Sequence, residues 1–323
     1  MNIHFFGVHE WEKSYLEGRA HELFDATELQ FSAERLSEDT APAASDAECV
    51  SIFVDSKMTK AVIDRFPRLQ LIATRSTGYD MVDMEYAKAK GITVANVPSY
   101  GEHTVAEFTF ALMLALSRKL YDCIIRTKEL GRFDYEGLTG FDLREKTLGV
   151  IGTGRIGVQV IALAKAFGMK VVAHDVFLKP ELAASLGFTY VPLDELLATS
   201  DIVTLHVPAS PNGGYLVGTD ELQKMKSTAY LINTSRGSLV DTQALVAALG
   251  GGKLAGAALD VLEDEVSLTK EGLMQHPLHA FPNVIITPHT AFNTKEAIER
   301  ILETALQNIN EFKKGTPQNV VTA

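Results

Sequence analysis

The chain has 323 residues, of which 46% are hydrophobic and 22% charged, and its formal net charge is -11. That length exceeds one ordinary core and predicts two domains, while the composition excludes a largely disordered chain. The acidic balance argues against a broad nucleic-acid-binding surface, which needs clustered Lys and Arg. The two cysteines, Cys49 and Cys123, stand far apart, which excludes a disulfide framework or zinc site and fits a reducing, cytoplasmic compartment.

Short apolar runs at 3–6, 50–54, 69–74 and 92–95 have strand length, and the stretches 58–66 and 84–90 between them have helical spacing with polar faces. Such alternation predicts βαβ units and a parallel sheet. The N-terminus reads as a first buried strand and lacks the basic start and long apolar run of a signal peptide. Thr104 and Glu107 form a capping-box pattern opening a helix to residue 118, apolar nearly all round and therefore expected to be buried on several sides, as between domains or subunits. Its apolar stretch 108–116 falls short of the ~20 residues that span a bilayer, so no membrane association is expected.

A second series follows, with candidate strands at 147–151, 170–174, 202–206, 229–233, 256–260 and 284–287, the spacing of a doubly wound dinucleotide fold. Asn293 and Glu296 open a last helix whose Ile298, Ile301, Leu302, Ala305, Leu306, Ile309 and Phe312 keep helical period. That helix is expected to cross back onto the first domain. The expected organisation is therefore an α/β chain in which residues 100–292 form a Rossmann domain inserted into a discontinuous domain, 1–99 with 293–323.

The run 147–151 leads straight into Gly152-Thr-Gly154-Arg-Ile-Gly157. Gly152 permits a tight turn, Gly154 lets backbone approach a pyrophosphate, and Gly157 lets helix and strand pack closely. The following helix offers its N-terminus to the phosphates, with Arg155 beside it. Asp175 ends the next apolar run, ~20 residues on, where a carboxylate accepts both ribose hydroxyls of NAD. That charge repels a 2′-phosphate, and Val176, Phe177 and Leu178 supply no arginine. NAD is thus expected over NADP.

Two further residues sit just past apolar strands. Arg236 follows the run 229–233, and its guanidinium can fork to carboxylate and carbonyl oxygens as lysine cannot. His289, behind Pro288, can exchange a proton near neutral pH. Glu263, Asp264 and Glu265 are rival carboxylate partners for that imidazole. His206, ending the third strand of the series, reads as a cofactor-lining residue. No Ser lies in a GxSxG elbow, which makes a hydrolase triad a poor alternative.

With these residues in place, the chain resembles the D-isomer-specific 2-hydroxyacid dehydrogenases, and within them the D-lactate dehydrogenase branch. The motifs run nearly end to end: Arg-Ser-Thr-Gly-Tyr-Asp (75–80), Asn-Val-Pro-Ser-Tyr (96–100), Thr-Val-Ala-Glu (104–107), the glycine turn, His-Val-Pro (206–208), Asn-Thr-Ser-Arg-Gly (233–237), Leu-Asp-Val (259–261) and Pro-His-Thr-Ala-Phe (288–292). The resemblance implies a flavodoxin-like substrate domain beside the Rossmann domain, and a catalytic set of Arg236, Glu265 and His289. In that set Glu265 raises the pKa of the imidazole. It also implies that Asp260 contacts the nicotinamide amide, that Arg155 and Ile156 meet the pyrophosphate, and that His206, Val207, Asn212, Thr234 and Ser235 line the cofactor cleft. Thr77 and Gly78 would give N–H groups to the substrate carboxylate, in a site between domains whose closure expels water. Tyr100, Phe292 and Phe53 would close a small apolar pocket. The implied activity is reversible hydride transfer between NADH and a small 2-oxo acid, foremost pyruvate to D-lactate, by a homodimer. Glyoxylate or hydroxypyruvate reduction, phosphoglycerate oxidation, and an NAD-sensing corepressor-like binding protein are the alternatives.

Overall fold

A computed structural model describes residues 1–23, 29–210 and 213–321. The chain divides into two compact units, one of residues 1–101 and 294–323 and one of residues 102–293.

The first unit begins with β1 (Ile3–Phe5), α1 (Glu10–Leu23), β2 (Leu29–Phe31), β3 (Cys49–Ile52), α2 (Lys60–Ile63), β4 (Leu71–Thr74), α3 (Met84–Ala89) and β5 (Thr93–Ala95). Its strands pair in the order β2-β1-β3-β4-β5, all parallel, which is the flavodoxin-like order. Every residue of β3 and β4 is buried, as expected of parallel strands covered on both faces, and this is why they read as unbroken apolar runs.

The second unit comprises α4 (Glu102–Ser117), α5 (Leu120–Lys128), β6 (Thr147–Ile151), α6 (Arg155–Ala166), β7 (Lys170–His174), α7 (Pro180–Leu186), β8 (Thr189–Tyr190), α8 (Leu193–Thr199), β9 (Ile202–Leu205), α9 (Thr219–Lys224), β10 (Tyr230–Asn233), α10 (Thr242–Gly250), β11 (Gly256–Leu259), α11 (Lys270–Met274) and β12 (Val284–Ile286). The strand order β12-β11-β10-β9-β6-β7-β8 reverses between β6 and β9, the switch point at which doubly wound sheets bind ligands outside their strand C-termini. Alternate residues feed opposite faces: Val203, Leu205 and Leu231 join one core cluster, while Leu148, Val150, Ile202 and Ile232 join the other.

Helix α4 starts at Glu102, directly after Gly101, whose φ of +139° breaks the preceding run. Thr104 and Glu107 therefore lie inside the helix and do not cap it. Its Phe110, Leu112 and Met113 belong to a core cluster of the unit itself, with Phe108, Leu114 and Leu116 packed against them. Phe108, Leu114 and Leu116 stay partly exposed, and Ala111 is exposed.

The chain returns to the first unit with α12 (Lys295–Lys313). Thr294, and not Asn293, is its N-cap, accepting from the Ala297 N–H. Arg19 of α1 forks onto Glu303 of α12, with Nε–Oε2 at 3.0 Å and Nη2–Oε1 at 2.8 Å.

Candidate active site

The glycine turn follows β6. Gly152 has φ of +97°, and a Cβ there would stand 2.3 Å from the His206 carbonyl oxygen, so only glycine fits. A Cβ on Gly157 would meet the Gly152 carbonyl at 2.0 Å, which is the close packing of helix on turn. Gly154 differs: it is the N-cap of α6, and no atom lies within 4 Å of where its Cβ would be. The turn is therefore closed behind and open at the helix N-terminus, where backbone N–H groups and the helix dipole favour an anion. Arg155 stands at that terminus, 3.9 Å from Glu102, and Ile156 packs inward against the core.

Asp175 follows β7. Its Oδ2 accepts from the Thr153 N–H at 2.6 Å and the Thr153 hydroxyl at 2.8 Å, and its Oδ1 from the Phe177 N–H at 3.0 Å. Burial opposes its charge, but hydrogen bonds from Phe177, Thr153 and Val176 outweigh burial and hold the carboxyl below the usual aspartate range. The Tyr190 hydroxyl lies 2.8 Å from the Thr153 hydroxyl. Since Thr153 donates to Asp175, Tyr190 donates to Thr153. This two-step tether was not visible in the sequence, because Tyr190 lies 15 positions past Asp175 on a two-residue edge strand.

His206 ends β9. Its Nε2 lies 2.9 Å from the Thr204 hydroxyl, while its buried Nδ1 has no hydrogen-bond partner among the described residues. Burial pushes its pKa down to about 3, so the ring is neutral. Val207 lies against Gly152, and Asn212 falls outside the described residues. The open face of Gly154, the α6 N-terminus, the Asp175 carboxylate and the orphaned His206 nitrogen together fit a dinucleotide at the switch point.

The turn after β10 is pinned by Asn233. Its Oδ1 accepts from the Ser235 N–H at 2.9 Å and its Nδ2 donates to the Arg236 carbonyl at 2.8 Å. The Ser235 hydroxyl donates to the Leu205 carbonyl at 2.6 Å, and the Thr234 hydroxyl lies 3.0 Å from that of Thr109, both buried. Arg236 donates through Nη1 to the Ser235 carbonyl at 2.8 Å. Gly237 then lies so close to the next loop that a Cβ would sit 1.9 Å from the Leu262 carbonyl oxygen. The Arg236 turn and the acidic loop 263–265 therefore meet backbone to backbone.

Within that loop the three rival carboxylates separate. Glu263 accepts from the Tyr215 hydroxyl at 2.5 Å, a bond that pushes the phenol pKa up to about 12. Asp264 takes a left-handed conformation, φ +54°, and turns the chain. Glu265 reaches His289: its Oε1 lies 2.5 Å from Nδ1, and its Oε2 accepts from the Leu262 N–H at 3.1 Å. His289 itself has φ of +50°, an uncommon conformation for a side-chain-bearing residue.

Asp260 holds it there. This buried residue takes the His289 N–H on its carbonyl at 2.7 Å. Its Oδ1 accepts from the Thr287 hydroxyl at 2.6 Å and the Thr290 N–H at 3.0 Å, and its Oδ2 from the Ala291 N–H at 2.8 Å. The Phe292 ring packs edge-on to the imidazole, with centroids 6.3 Å apart. The unit thus brings the glycine turn, Arg236, Glu265 and His289 to the C-terminal edge of a single sheet.

In the other unit, Thr77 and Gly78 lie on the turn after β4. The Thr77 hydroxyl donates to the Val97 carbonyl at 2.8 Å, and Asn96 Nδ2 donates to the Thr77 carbonyl at 2.7 Å. Phe53, half-buried, follows β3, and the Tyr100 carbonyl accepts from Arg300.

Comparison with known proteins agrees with this geometry. Residues 110–291 match the model of the D-isomer specific 2-hydroxyacid dehydrogenase, NAD binding domain. The D-lactate dehydrogenase of Escherichia coli is 36% identical over 326 residues, covering 98% of each chain. An aromatic 2-oxoacid reductase of Clostridium sporogenes is 42% identical over 261 residues, covering 78% of each. The structure of the Aquifex aeolicus D-lactate dehydrogenase complexed with NAD and lactic acid superposes with a TM-score of 0.88 at 37% identity, covering 98% of this chain and 96% of the other. The chain belongs to the D-isomer-specific 2-hydroxyacid dehydrogenase family. It is an NAD-dependent oxidoreductase of that family, and its second unit is the Rossmann NAD-binding domain.

Proposed function

We propose that the chain reduces a small 2-oxo acid to the D-2-hydroxy acid, with pyruvate and D-lactate as the principal pair. The observation that carries this reading is the His289–Glu265 pair, 2.5 Å apart, anchored by Asp260 on the sheet edge that also bears Arg236. Bound NADH supplies the hydride that the ketone carbon receives. Because Nδ1 faces Glu265, Nε2 is the nitrogen that delivers the proton to the ketone oxygen, and in the reverse direction recovers it. Glu265 fixes the orientation of the imidazole through its hold on Nδ1. Arg236 grips carboxylate and carbonyl oxygens and stabilises negative charge as it grows on the latter.

On the cofactor side, Gly152, Gly154, Arg155, Ile156 and Gly157 are assigned to the pyrophosphate and Asp175 to the ribose. His206, Val207, Asn212, Thr234 and Ser235 are assigned to the rest of the cleft. Asp260 is assigned to the nicotinamide end, in addition to holding the 287–291 loop. The N–H groups of Thr77 and Gly78 are assigned to the substrate carboxylate, and Phe53, Tyr100 and Phe292 to its side chain.

The test is a panel of pyruvate, 2-oxobutyrate, phenylpyruvate, glyoxylate and hydroxypyruvate with NADH, followed by chiral analysis of the product. A highest kcat/KM on pyruvate and a D product are expected; no turnover on any member ends the proposal. A larger aromatic 2-oxo acid is the second reading, favoured by the 42% identity to the Clostridium sporogenes reductase, and phenylpyruvate in the same panel decides it.

We further propose a homodimer in the cytoplasm. Among the described residues no helix is long and apolar enough to cross a membrane. Along 120–135, Phe133 is 99% exposed and Tyr135 89%, with Leu120, Tyr121 and Leu130 also open. Several large apolar side chains left open within one short segment are the kind of surface that a partner copy would cover. Light scattering should give twice the chain mass, and Phe133→Ser with Tyr135→Ser should shift it towards one.

A further inference from the structure

Three asparagines of the first unit, far apart in sequence, form one hydrogen-bonded line ending at the Thr77–Gly78 turn. Asn319 Nδ2 donates to Asn308 Oδ1 at 2.8 Å, Asn308 Nδ2 donates to the Asn96 carbonyl at 2.7 Å, and Asn96 Nδ2 donates to the Thr77 carbonyl at 2.7 Å. Asn96 and Asn308 are buried, the latter 1% exposed on α12. The segment carrying Asn319 is itself fastened to the edge of β5: the Asn96 N–H donates to the Asn319 carbonyl at 3.1 Å, and the Val321 N–H to the Val94 carbonyl at 2.9 Å.

The line completes a set. The Ser76 carbonyl accepts from the Val97 N–H at 3.0 Å and the Thr74 hydroxyl at 3.2 Å, and the Gly78 carbonyl accepts from the Ser76 hydroxyl at 2.6 Å. All three carbonyls of the turn are therefore tied back into the unit. Among the described residues there is no cis peptide, and in a trans peptide the N–H points opposite to the C=O. Holding the Ser76 and Thr77 carbonyls inward thus directs the N–H groups of Thr77 and Gly78 outward, side by side. Successive N–H groups presented this way make an anion-binding concavity.

A buried amide is costly unless satisfied, and an apolar side chain at 308 would fill α12 without that cost. The amide at 308 does what an apolar group cannot: it accepts from one segment and donates to another. We propose that Asn96, Asn308 and Asn319 are positioning residues that set the direction of the Thr77 and Gly78 N–H groups, so that residues beyond α12 govern affinity for the substrate carboxylate. This rests on the assignment of Thr77 and Gly78 to that carboxylate.

Asn319 has φ of +52°, so Asn319→Gly deletes the side chain without straining the backbone, while Asn96→Ala cuts the line at the turn itself. Steady-state kinetics with pyruvate and NADH should show KM for pyruvate raised about 3- to 10-fold in Asn96→Ala, the size expected for one buried neutral hydrogen bond. A smaller rise is expected in Asn319→Gly, with kcat and NADH affinity unchanged in both. Lowered melting temperatures with an unchanged pyruvate KM in both variants overturn the proposal, since a merely structural role predicts that result. Amide NMR of the unaltered 15N-labelled protein with NADH and oxamate separates the two levels. Shifts at the Thr77 and Gly78 amides support the carboxylate assignment, and their absence overturns that assignment and the relay with it.

Discussion

The two sheets end in differently made edges. In the Rossmann unit the strand C-termini carry ionisable side chains: Asp175 after β7, Arg236 after β10, and His289 after β12 paired with Glu265 from the loop after β11. In the flavodoxin-like unit the corresponding edge is built from backbone. There the buried Arg75 spends its hydrogen bonds on the carbonyls of Phe6, Gly7 and Ser51 and on the Ser51 hydroxyl, and amides and hydroxyls hold the 76–78 turn. A charge that must move protons or grip an oxyanion has to sit where its pKa and rotamer are controlled. A carboxylate that only needs holding can be met by oriented N–H groups. On the proposed assignment, one unit carries the chemistry and the other the shape that holds the substrate.

On that division the largest losses come from side chains of the Rossmann edge. His289→Ala should lower kcat about 10²–10⁴-fold, the contribution of a positioned general acid, while NADH affinity measured by fluorescence titration stays near that of the unaltered protein. A loss under tenfold would move the proton donor elsewhere. Arg236→Lys keeps the charge but not the fork, and should lower kcat/KM for pyruvate about 10²-fold. An equal fall for Arg236→Lys and Arg236→Ala would show that geometry, not charge, is what the site uses.

Asp175→Ala should weaken NADH about 10- to 100-fold, as the loss of charge-assisted hydrogen bonds does. It should also narrow the preference over NADPH. Lys179 sharpens this test, because its Nζ reaches the Thr153 carbonyl at 3.4 Å and so puts a cation beside the glycine turn that could meet a 2′-phosphate. A double variant with Lys179→Ala should lose whatever NADPH use the single one gains. An unchanged NADH/NADPH ratio in Asp175→Ala refutes the ribose assignment.

The same division explains what was legible in the sequence. Strands such as β6 and β7 were placed to the residue, because each carries a short apolar run between turn signals. The edge strands β2 and β8 were missed: three and two residues long and incompletely buried, they carry no such run. Asp175, Arg236 and His289 were legible since each is fixed by local position, a polar residue just past a strand. The choice of Glu265 over Glu263 and Asp264 was not, because it depends on how Gly237 brings the loop in and how Asp264 turns it. The asparagine line was invisible for a stronger reason. Its members lie 212 and 11 positions apart, and nothing local distinguishes a relay amide from a loop amide.

The smallest expected effect concerns stability and comes from His206, an edge side chain that burial keeps neutral. Burial lowers its pKa from 6.5 to about 3 in the folded chain. Above pH 6.5 both states are neutral and the residue contributes no pH dependence. As pH falls below 6.5 the unfolded chain takes up a proton that the folded chain refuses until about pH 3, so stability declines through that window. Between pH 7 and pH 5 the decline is about 1–2 kcal/mol, allowing for a half-buried ring. His206→Gln does not titrate, so urea unfolding should show that variant losing less stability than the parent over the same interval, by that amount. Equal losses would mean that the ring accepts a proton within the fold, and the neutral, orphaned nitrogen assigned to the cofactor cleft would have to be abandoned.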